Sequence, residues 1–143
     1  QHLTGNGRQD VYLDFAHAPS KLKATINALK QKFSDRKLIA CIELHTFSSL
    51  QKNFIPQYKD SMKNADIAIV YYSHEVLKHK QLPELSENFV KQSFGGDVII
   101  YTETVKLQNY LENTNLHKTN ILKMSSGNFN GIDFVKFADK LII

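Results

Sequence analysis

The chain has 143 residues, of which 42% are hydrophobic and 22% are charged. This length fits one ordinary domain whose core needs no metal or disulfide staples, and the composition excludes disordered, collagenous and low-complexity polymers. The formal net charge of +4 comes from basic residues scattered along the sequence, which is typical of a solvated surface. The longest apolar runs, such as residues 67–72, fall far short of the roughly 20 residues needed to span a bilayer.

The cysteine content and the first residues indicate the cellular context of the chain. The single cysteine, Cys41, has apolar neighbours, so we expect a buried thiol in a reducing compartment. Residues 1–10 are polar and contain no apolar core segment, so no signal peptide is expected. Because the chain starts with Gln1 rather than Met, we expect a piece of a longer protein.

The first half of the chain alternates between apolar runs and helical patterns. We predict a strand at residues 11–13 and then a helix from Pro19, a residue that suits a first helical turn. That helix carries a stripe of apolar residues at helical spacing: Leu22, Ile26, Leu29 and Phe33. The apolar run at 38–43 predicts a strand that is covered on both faces. Residues 48–63 read as helical, and because Pro56 interrupts them the regular helix is expected from about Ile55.

The second half continues the alternation and defines the fold class. In chain order we predict a strand at 67–72, a helical turn at 73–80, a helix from the N-cap Ser86 to Gly95, a strand at 98–101, a helix at 104–112, a strand at 120–124 and a helix at 132–141. This pattern indicates right-handed crossovers. We therefore predict a single α/β domain over residues 1–143, Rossmann-like and three-layered, with a mostly parallel sheet of five to six strands and helices on both faces. Residues 1–9 are either an edge strand or a connector from another domain.

Polar side chains follow the carboxyl end of each predicted parallel strand, which is the edge where such sheets bind ligands. They are Asp14 and His17, then Glu43, His45, Thr46, Ser48 and Ser49, then Tyr72, Ser73 and His74, then Thr102 and Glu103, and finally Ser125, Ser126, Gly127 and Asn128. Taken singly, each of these residues is more typical of a cap or a turn. Their coincidence on one edge indicates a site.

Individual members of this set have two interpretations each. Asp14 can accept hydrogen bonds from a ribose or cap the helix that follows it. His17 and His45 can bind phosphate or carboxylate when protonated, or steer a nucleophile when neutral, and each can equally be satisfied by backbone. His74, at a helix start, is interpreted as a structural or surface residue. The backbone amides of the loop that begins at Gly127 can hold an anion, or the loop is an ordinary tight turn.

Several familiar site patterns are missing from the sequence. There is no His-x-x-x-His pair, cysteine pair or carboxylate cluster with metal-ligand spacing, so no metal site is predicted. There is no Gly-x-Ser-x-Gly elbow and no Gly-x-x-x-x-Gly-Lys-Ser/Thr phosphate loop. The chain by itself is therefore not expected to be a complete ATP-hydrolysing machine.

Two stretches resemble the C-terminal domain of the Mur ligases, the ATP-dependent amide-forming enzymes of peptidoglycan assembly. The stretch 14–20, followed by Lys23-Ala24-Thr25, is similar to the family pattern Asp-Phe/Tyr-Ala/Gly-His-His-Pro-Thr and Lys-Ala-Thr. The stretch 124–132 resembles Met-Ser-Asn-Gly-Gly-Phe-Gly-Gly-Ile, which closes the muropeptide ligase branch. Residues 43–49 occupy the place of Pro-His-Arg-Phe-Thr-Arg in the alanine-adding branch. The resemblance runs from about Leu3 to the end of the chain.

The resemblance implies a reaction and a set of partners for the full-length enzyme. An N-terminal domain would bind UDP-N-acetylmuramate, a central domain would carry the phosphate loop for ATP with Mg²⁺, and the present chain would bring the incoming amino acid or peptide. The muramoyl carboxylate would be phosphorylated, and the amine would attack the acyl phosphate. The isolated domain is expected to be inactive and to hold no cofactor tightly. A cytoplasmic location is implied, with neither nucleic acid nor membrane as a partner.

The resemblance also implies roles for single residues. Asp14 would contact the nucleotide ribose. His17 and His45 are the candidate catalytic residues, His17 near phosphate or the neighbouring loop and His45 on the incoming amine substrate. The same pocket would be lined by Thr46 and Ser49 and by three residues of the closing motif: Ser126, Gly127 and Phe129.

Three departures from the family pattern bear on the substrate. Ala18 replaces the second histidine. Thr46 and Ser49 stand where the alanine-adding branch has arginines, and a neutral hydroxyl cannot supply a charged bidentate clamp for a carboxylate. A peptide is therefore expected as the amine substrate rather than single alanine.

Two other function classes stay open on the sequence alone. A stand-alone α/β binding or regulatory module, such as a receiver-like domain, would need a central Asp at the end of the third strand, where this chain has Tyr72 and Ser73. A nucleic-acid-binding domain would use the lysines of the first helix. Those lysines spread around the helix without interleaved aromatic residues, which favours a solvated face.

Overall fold

A six-stranded sheet forms the centre of the fold, in a computed structural model that describes residues 1–5, 9–15, 18–125 and 127–132. The strands are β1 (His2–Gly5), β2 (Asp10–Asp14), β3 (Lys37–Glu43), β4 (Ile67–Tyr71), β5 (Ile99–Tyr101) and β6 (Thr119–Met124). The helices are α1 (Pro19–Lys32), α2 (His74–His79), α3 (Glu87–Phe94) and α4 (Thr104–Asn113). Short 3₁₀ turns cover Ile55–Tyr58 and Phe129–Gly131.

The strand order is β1-β2-β6-β3-β4-β5, and every pairing is parallel except that of β1 with β2. The mostly parallel α/β fold predicted from the alternation of strands and helices is thereby confirmed. Residues 1–5 include the edge strand that was one of the two interpretations of the N-terminal segment. The strands also end level with one another: Met124 of β6 pairs with Asp14 on one side and with Ile42 on the other. This register places the carboxyl ends in one row.

Two apolar cores cover the two faces of the sheet. In β3, Leu38, Ala40 and Ile42 point into the core that contains the buried side chains of α1 and α3. Ile39 and Cys41 point into the other core, which α4 closes. Because successive residues of a strand face opposite sides, burial of both faces requires the continuous apolar run found in this strand.

The segment 48–63 is not a regular helix, and the sequence-based prediction there is wrong. It forms successive turns with only the short 3₁₀ turn, which has Pro56 at its start. Asp60 has φ of 61°, a left-handed conformation that stops a right-handed helix, and its N–H donates to the carbonyl of Phe94 at 2.9 Å. The Tyr58 ring stacks on the Phe94 ring with centroids 4.8 Å apart. Tertiary packing on α3 thus replaces helical hydrogen bonds.

The last predicted helix, at 132–141, lies outside the described residues from position 133 onward. None of the helices described in residues 1–132 is long and apolar enough to cross a membrane.

Polar contacts close the amino-terminal edge of the sheet, opposite the carboxyl ends of the strands. Arg36 donates to Asp10 at 2.6 Å and to Asn120 at 3.0 Å, and His2 contacts the other Asp10 oxygen at 2.8 Å. Burial by itself would raise the pKa of Asp10, but the hydrogen bonds and charges of Arg36 and His2 outweigh it and lower that pKa. This cluster ties β1, β2, β3 and β6 together.

Candidate functional site

Three polar residues lie side by side at the carboxyl ends of β2, β6 and β3: Asp14, Ser125 and Glu43. The N–H of Ser125 donates to the carbonyl of Asp14 at 3.1 Å, and the Ser125 hydroxyl donates to Glu43 Oε1 at 2.5 Å. His45 follows two residues after Glu43. The structure therefore brings Asp14 and His45 to one edge of the sheet. His17 and Ser126, the other candidate residues of these two loops, lie outside the described residues.

Glu43 is the centre of this edge, and its side chain is only 5% exposed. Its Oε1 atom accepts the Ser125 hydroxyl and the backbone N–H of Phe129, the latter at 3.0 Å. The Ser125 Oγ atom in turn accepts the N–H of Gly127 at 2.7 Å. One carboxylate oxygen therefore organises the loop that follows β6.

Gly127 fits between Glu43 and His45 because it has no side chain. A Cβ atom at this position would lie 2.8 Å from Glu43 Oε1 and 3.0 Å from the His45 ring carbons. The Nδ1 atom of His45 is 4.0 Å from Glu43 Oε2, and its side chain is 38% exposed. The imidazole is thus held at the surface beside a buried carboxylate.

Phe129 and Asn130 turn the chain in the left-handed conformation, with φ of 52° and 54°, which is uncommon for an aromatic residue. The Phe129 ring is buried and stacks on Tyr71 with centroids 5.9 Å apart, and Lys123 Nζ lies 5.7 Å from the centroid of the same ring. Burial raises the pKa of the Tyr71 hydroxyl, and the charges of Glu43 and Glu75 raise it further, against a hydrogen bond with Asn130.

Two adjoining depressions run along this edge. One has a volume of about 480 Å³ and lies beyond β4 and β5, between Tyr71, Thr102 and the first turn of α4. The other has a volume of about 320 Å³ and has His45 in its wall. They share Ser73, Glu75 and Asn130, so the pair forms one groove with room for a small ligand. Exposed His74 belongs to the first depression, with its ring edge toward Tyr72.

Asp14 lines a separate depression of about 330 Å³ between β2 and α1. Its Oδ2 atom accepts the hydroxyl of Thr25 at 2.7 Å. The N-cap residue of α1 is Ala18, which makes no side-chain capping bond. The interpretation of Asp14 as the cap of this helix is therefore wrong: its carboxylate contacts α1 at Thr25, about two turns beyond the N-cap.

Thr46 and Ser49 form a turn with each other. Thr46 Oγ1 donates to Ser49 Oγ at 2.9 Å and accepts the N–H of Ser49 at 3.1 Å, while Ser49 Oγ donates to the Thr46 carbonyl at 3.1 Å. Ser49 is buried. The two hydroxyls shape the loop that carries His45 and the exposed Phe47.

Sequence reasoning noted Glu43 and Ser125 only as members of the edge and did not select Tyr71 or Asn130. One signal for Glu43 was available, because a carboxylate that ends an otherwise apolar buried strand needs partners. The partners themselves, more than 80 residues further along the chain, could not be identified from spacing. Among residues 1–132 as far as they are described, no group of three or more His, Cys, Asp or Glu side chains could hold a metal ion.

Comparison with known proteins identifies relatives of this chain. It is 34% identical over 97 residues to the UDP-N-acetylmuramate–L-alanine ligase of Lactobacillus delbrueckii, a match that covers 68% of this chain and 22% of the relative. The chain is a relative of the Mur ligases. No family model matches the sequence. The chain spans about a fifth of the length of the curated Mur ligases it matches.

Solved Mur ligase structures share the fold. A domain of a UDP-N-acetylmuramate:L-alanyl-gamma-D-glutamyl-meso-diaminopimelate ligase from Haemophilus ducreyi matches with a TM-score of 0.63 and 24% identity, covering 99% of this chain and 98% of that one. A murein peptide ligase from Psychrobacter arcticus matches with a TM-score of 0.65 and 20% identity, covering 99% of this chain and 28% of that one. At these identities the matches establish the α/β fold.

Proposed function

We propose that this chain is the C-terminal domain of an ATP-dependent ligase that joins the amine of a peptide or amino acid to UDP-N-acetylmuramate through an acyl phosphate. The observation that carries the proposal is the sequence similarity to Mur ligases, combined with the polar edge that links Asp14, Ser125 and Glu43. The N-terminal UDP-binding and central ATP-binding domains would belong to the rest of the full-length protein.

The geometry of the edge supports a division into two subsites. At the first, Asp14 has a depression beside it and carboxylate oxygens that can accept ribose hydroxyls. At the second, His45 lies beside the buried Glu43 and Gly127 and forms part of the wall of the groove, which suits the incoming amine substrate. Phe129 contacts Glu43 through its backbone N–H, and its ring is buried. His17 and Ser126 belong to the same two loops in this proposal.

In this proposal ATP with Mg²⁺ is bound jointly by this domain and the other domains of the full-length protein. The described residues offer a hydrogen-bonding site for a ribose beside Asp14, and in this proposal the central domain carries the phosphate loop for ATP with Mg²⁺. When bound, ATP supplies the phosphoryl group that activates the muramoyl carboxylate. The task of this domain is to orient the amine and to exclude water from the activated acyl group.

A peptide fits the amine subsite better than single alanine. Thr46 and Ser49 are neutral and bond to each other, so they offer no charged clamp for the carboxylate of one amino acid. The depression of about 480 Å³ that adjoins the His45 depression in the same groove leaves room for a longer substrate.

The test is an assay of the full-length protein with UDP-N-acetylmuramate, ATP and either L-alanine or the tripeptide L-alanyl-γ-D-glutamyl-meso-diaminopimelate. We expect ADP, phosphate and a new amide with the tripeptide, and no turnover by residues 1–143 alone. Asp14→Ala should raise the KM for ATP, and His45→Ala should raise the KM for the amine substrate. Absence of amide formation with both amines would contradict the function, and unchanged kinetics in both variants would contradict the site.

A further inference from the structure

The two carboxylate oxygens of Glu43 have different surroundings. Oε1 accepts two hydrogen bonds, from the Ser125 hydroxyl and the Phe129 N–H, and faces Gly127. Oε2 lies 4.0 Å from the Nδ1 atom of His45, which is longer than a hydrogen bond but within the range of an electrostatic contact or a bridging water. One side chain thus connects the loop after β6 with the imidazole after β3.

Holding the loop does not by itself require a charge. Both bonds at Oε1 need only an acceptor oxygen, and the amide oxygen of a glutamine would accept them as well. A buried carboxylate costs more free energy than a buried amide unless its charge is used. A contact of Glu43 that does depend on its charge is the one between Oε2 and His45.

A carboxylate next to Nδ1 has a defined effect on a neutral imidazole. It favours the tautomer that carries the proton on Nδ1, because that N–H points at the negative charge. The other ring nitrogen, Nε2, is then a hydrogen-bond acceptor. An acceptor is what the N–H of an incoming amine requires.

We propose that Glu43 is a positioning residue of the amine subsite: it holds Ser125 and Phe129 in place through Oε1 and orients His45, with Nε2 as the acceptor, through Oε2. The first part concerns the structure of the chain alone. The second part deepens the proposed function and rests on it, since His45 contacts the amine substrate only if the chain belongs to such a ligase.

The first experiment reads the His45 tautomer from ring-nitrogen chemical shifts in NMR spectra of residues 1–143, with the ring in its neutral form. We expect the Nδ1–H tautomer in the unsubstituted chain. A predominant Nε2–H tautomer there would overturn the proposal without any variant. In Glu43→Gln we expect the population to shift toward Nε2–H while the amide signals of Gly127 and Phe129 stay in place.

Matched variants separate orientation of the ring from stability of the loop. Ser125→Ala removes a hydroxyl from Oε1 but leaves the carboxylate beside His45, so it should displace the Gly127 and Phe129 signals and leave the tautomer unchanged. Asp97→Asn, an exposed carboxylate in the turn before β5, should change neither. Equal tautomer populations in the Glu43→Gln and unsubstituted chains would overturn the proposal.

The second experiment is kinetic and uses the full-length protein. Glu43→Gln should raise the KM for the amine substrate about tenfold and leave the KM for ATP unchanged. An active Glu43→Gln enzyme with an unchanged KM for the amine would overturn the orienting role. If the unsubstituted full-length protein forms no amide, the proposed function fails instead, and the tautomer measurement still decides whether Glu43 orients His45.

Discussion

Gly127 approaches the carboxylate of Glu43 so closely that a Cβ atom on residue 127 would lie 2.8 Å from Oε1. The same Cβ would lie 3.0 Å from two carbons of the His45 ring. The Glu43 carboxylate cannot move easily, since Oε1 is held by Ser125 and by the Phe129 N–H. Residue 127 therefore has to be a glycine for packing reasons rather than for its backbone angles.

The first prediction concerns this contact. Gly127→Ala should lower the free energy of unfolding by about 1–3 kcal/mol, the usual cost of forcing an extra carbon into a packed site. Urea unfolding of residues 1–143 measures it. Asn128→Ala is the matched control, because Asn128 is exposed in the same loop and its side chain makes no capping bond. Equal losses in the two variants would contradict the packing argument.

The sequence predicts an element correctly where the pattern of apolar residues within that element determines its structure. The prediction fails where contacts with distant residues determine the structure. The apolar run of β3 indicates burial on both faces, and both faces are covered. The segment 48–63 has helical spacing but follows contacts with α3, including that of Asp60 with Phe94. The importance of Glu43 likewise depends on Ser125, which becomes its neighbour only because β6 inserts between β2 and β3. Spacing along the chain carries no trace of that insertion.

The second prediction concerns acid stability. The pKa of Asp10 is lowered because contacts with Arg36 and His2 outweigh burial, and the pKa of Asp66 is lowered because contacts with Lys30 and the Leu38 N–H outweigh burial. A carboxyl whose folded pKa lies below its unfolded value of 3.8 stabilises the fold above that pH. Its contribution is lost as the pH falls through the folded pKa. We therefore expect the free energy of unfolding to decline below about pH 4.

Variants of the two carboxyls test this assignment. Asp10→Asn should lower the free energy of unfolding at neutral pH by about 1–3 kcal/mol, because Arg36 loses a charged acceptor. It should also make the decline in acid shallower, and Asp66→Asn should do the same. The two effects are not expected to add, because Lys30 donates both to Asp66 and to the carbonyl of Arg36, the partner of Asp10. Urea titrations between pH 2 and 7 give both quantities. Parallel pH curves for the variants and the unsubstituted chain would contradict the assignment.

The third prediction concerns the thiol of Cys41, which is fully buried in β3. Burial raises its pKa from 9.0 to about 12, and the thiolate is the form that reacts. Native protein at pH 8 should therefore leave a disulfide reagent unreacted, while the denatured chain should release one equivalent of thiolate product. Because Cys41 is the single cysteine in the sequence, the signal has one source. Immediate reaction of the native chain would contradict the buried position.

The last prediction concerns three exposed apolar side chains on the edge that carries the candidate site. Phe15 follows β2, Phe47 follows β3 and Val105 begins α4 after β5; their exposed fractions are 61%, 56% and 63%. Large apolar side chains exposed together at one edge are typical of a surface that another domain covers. Since the chain spans about a fifth of its relatives' length, the proposed function implies that another domain of the full-length protein covers this edge when the site closes.

Removal of these side chains should therefore act on catalysis and not on folding. Phe47→Ser should change the free energy of unfolding of residues 1–143 by less than about 0.5 kcal/mol, as for other exposed positions. In the full-length protein the same change should lower kcat/KM for amide formation, because closure of the domain would bury less apolar surface. Lys63→Ser, an exposed position at the opposite edge, should leave both quantities unchanged. Equal kcat/KM values for Phe47→Ser and Lys63→Ser would show that this edge stays uncovered during turnover.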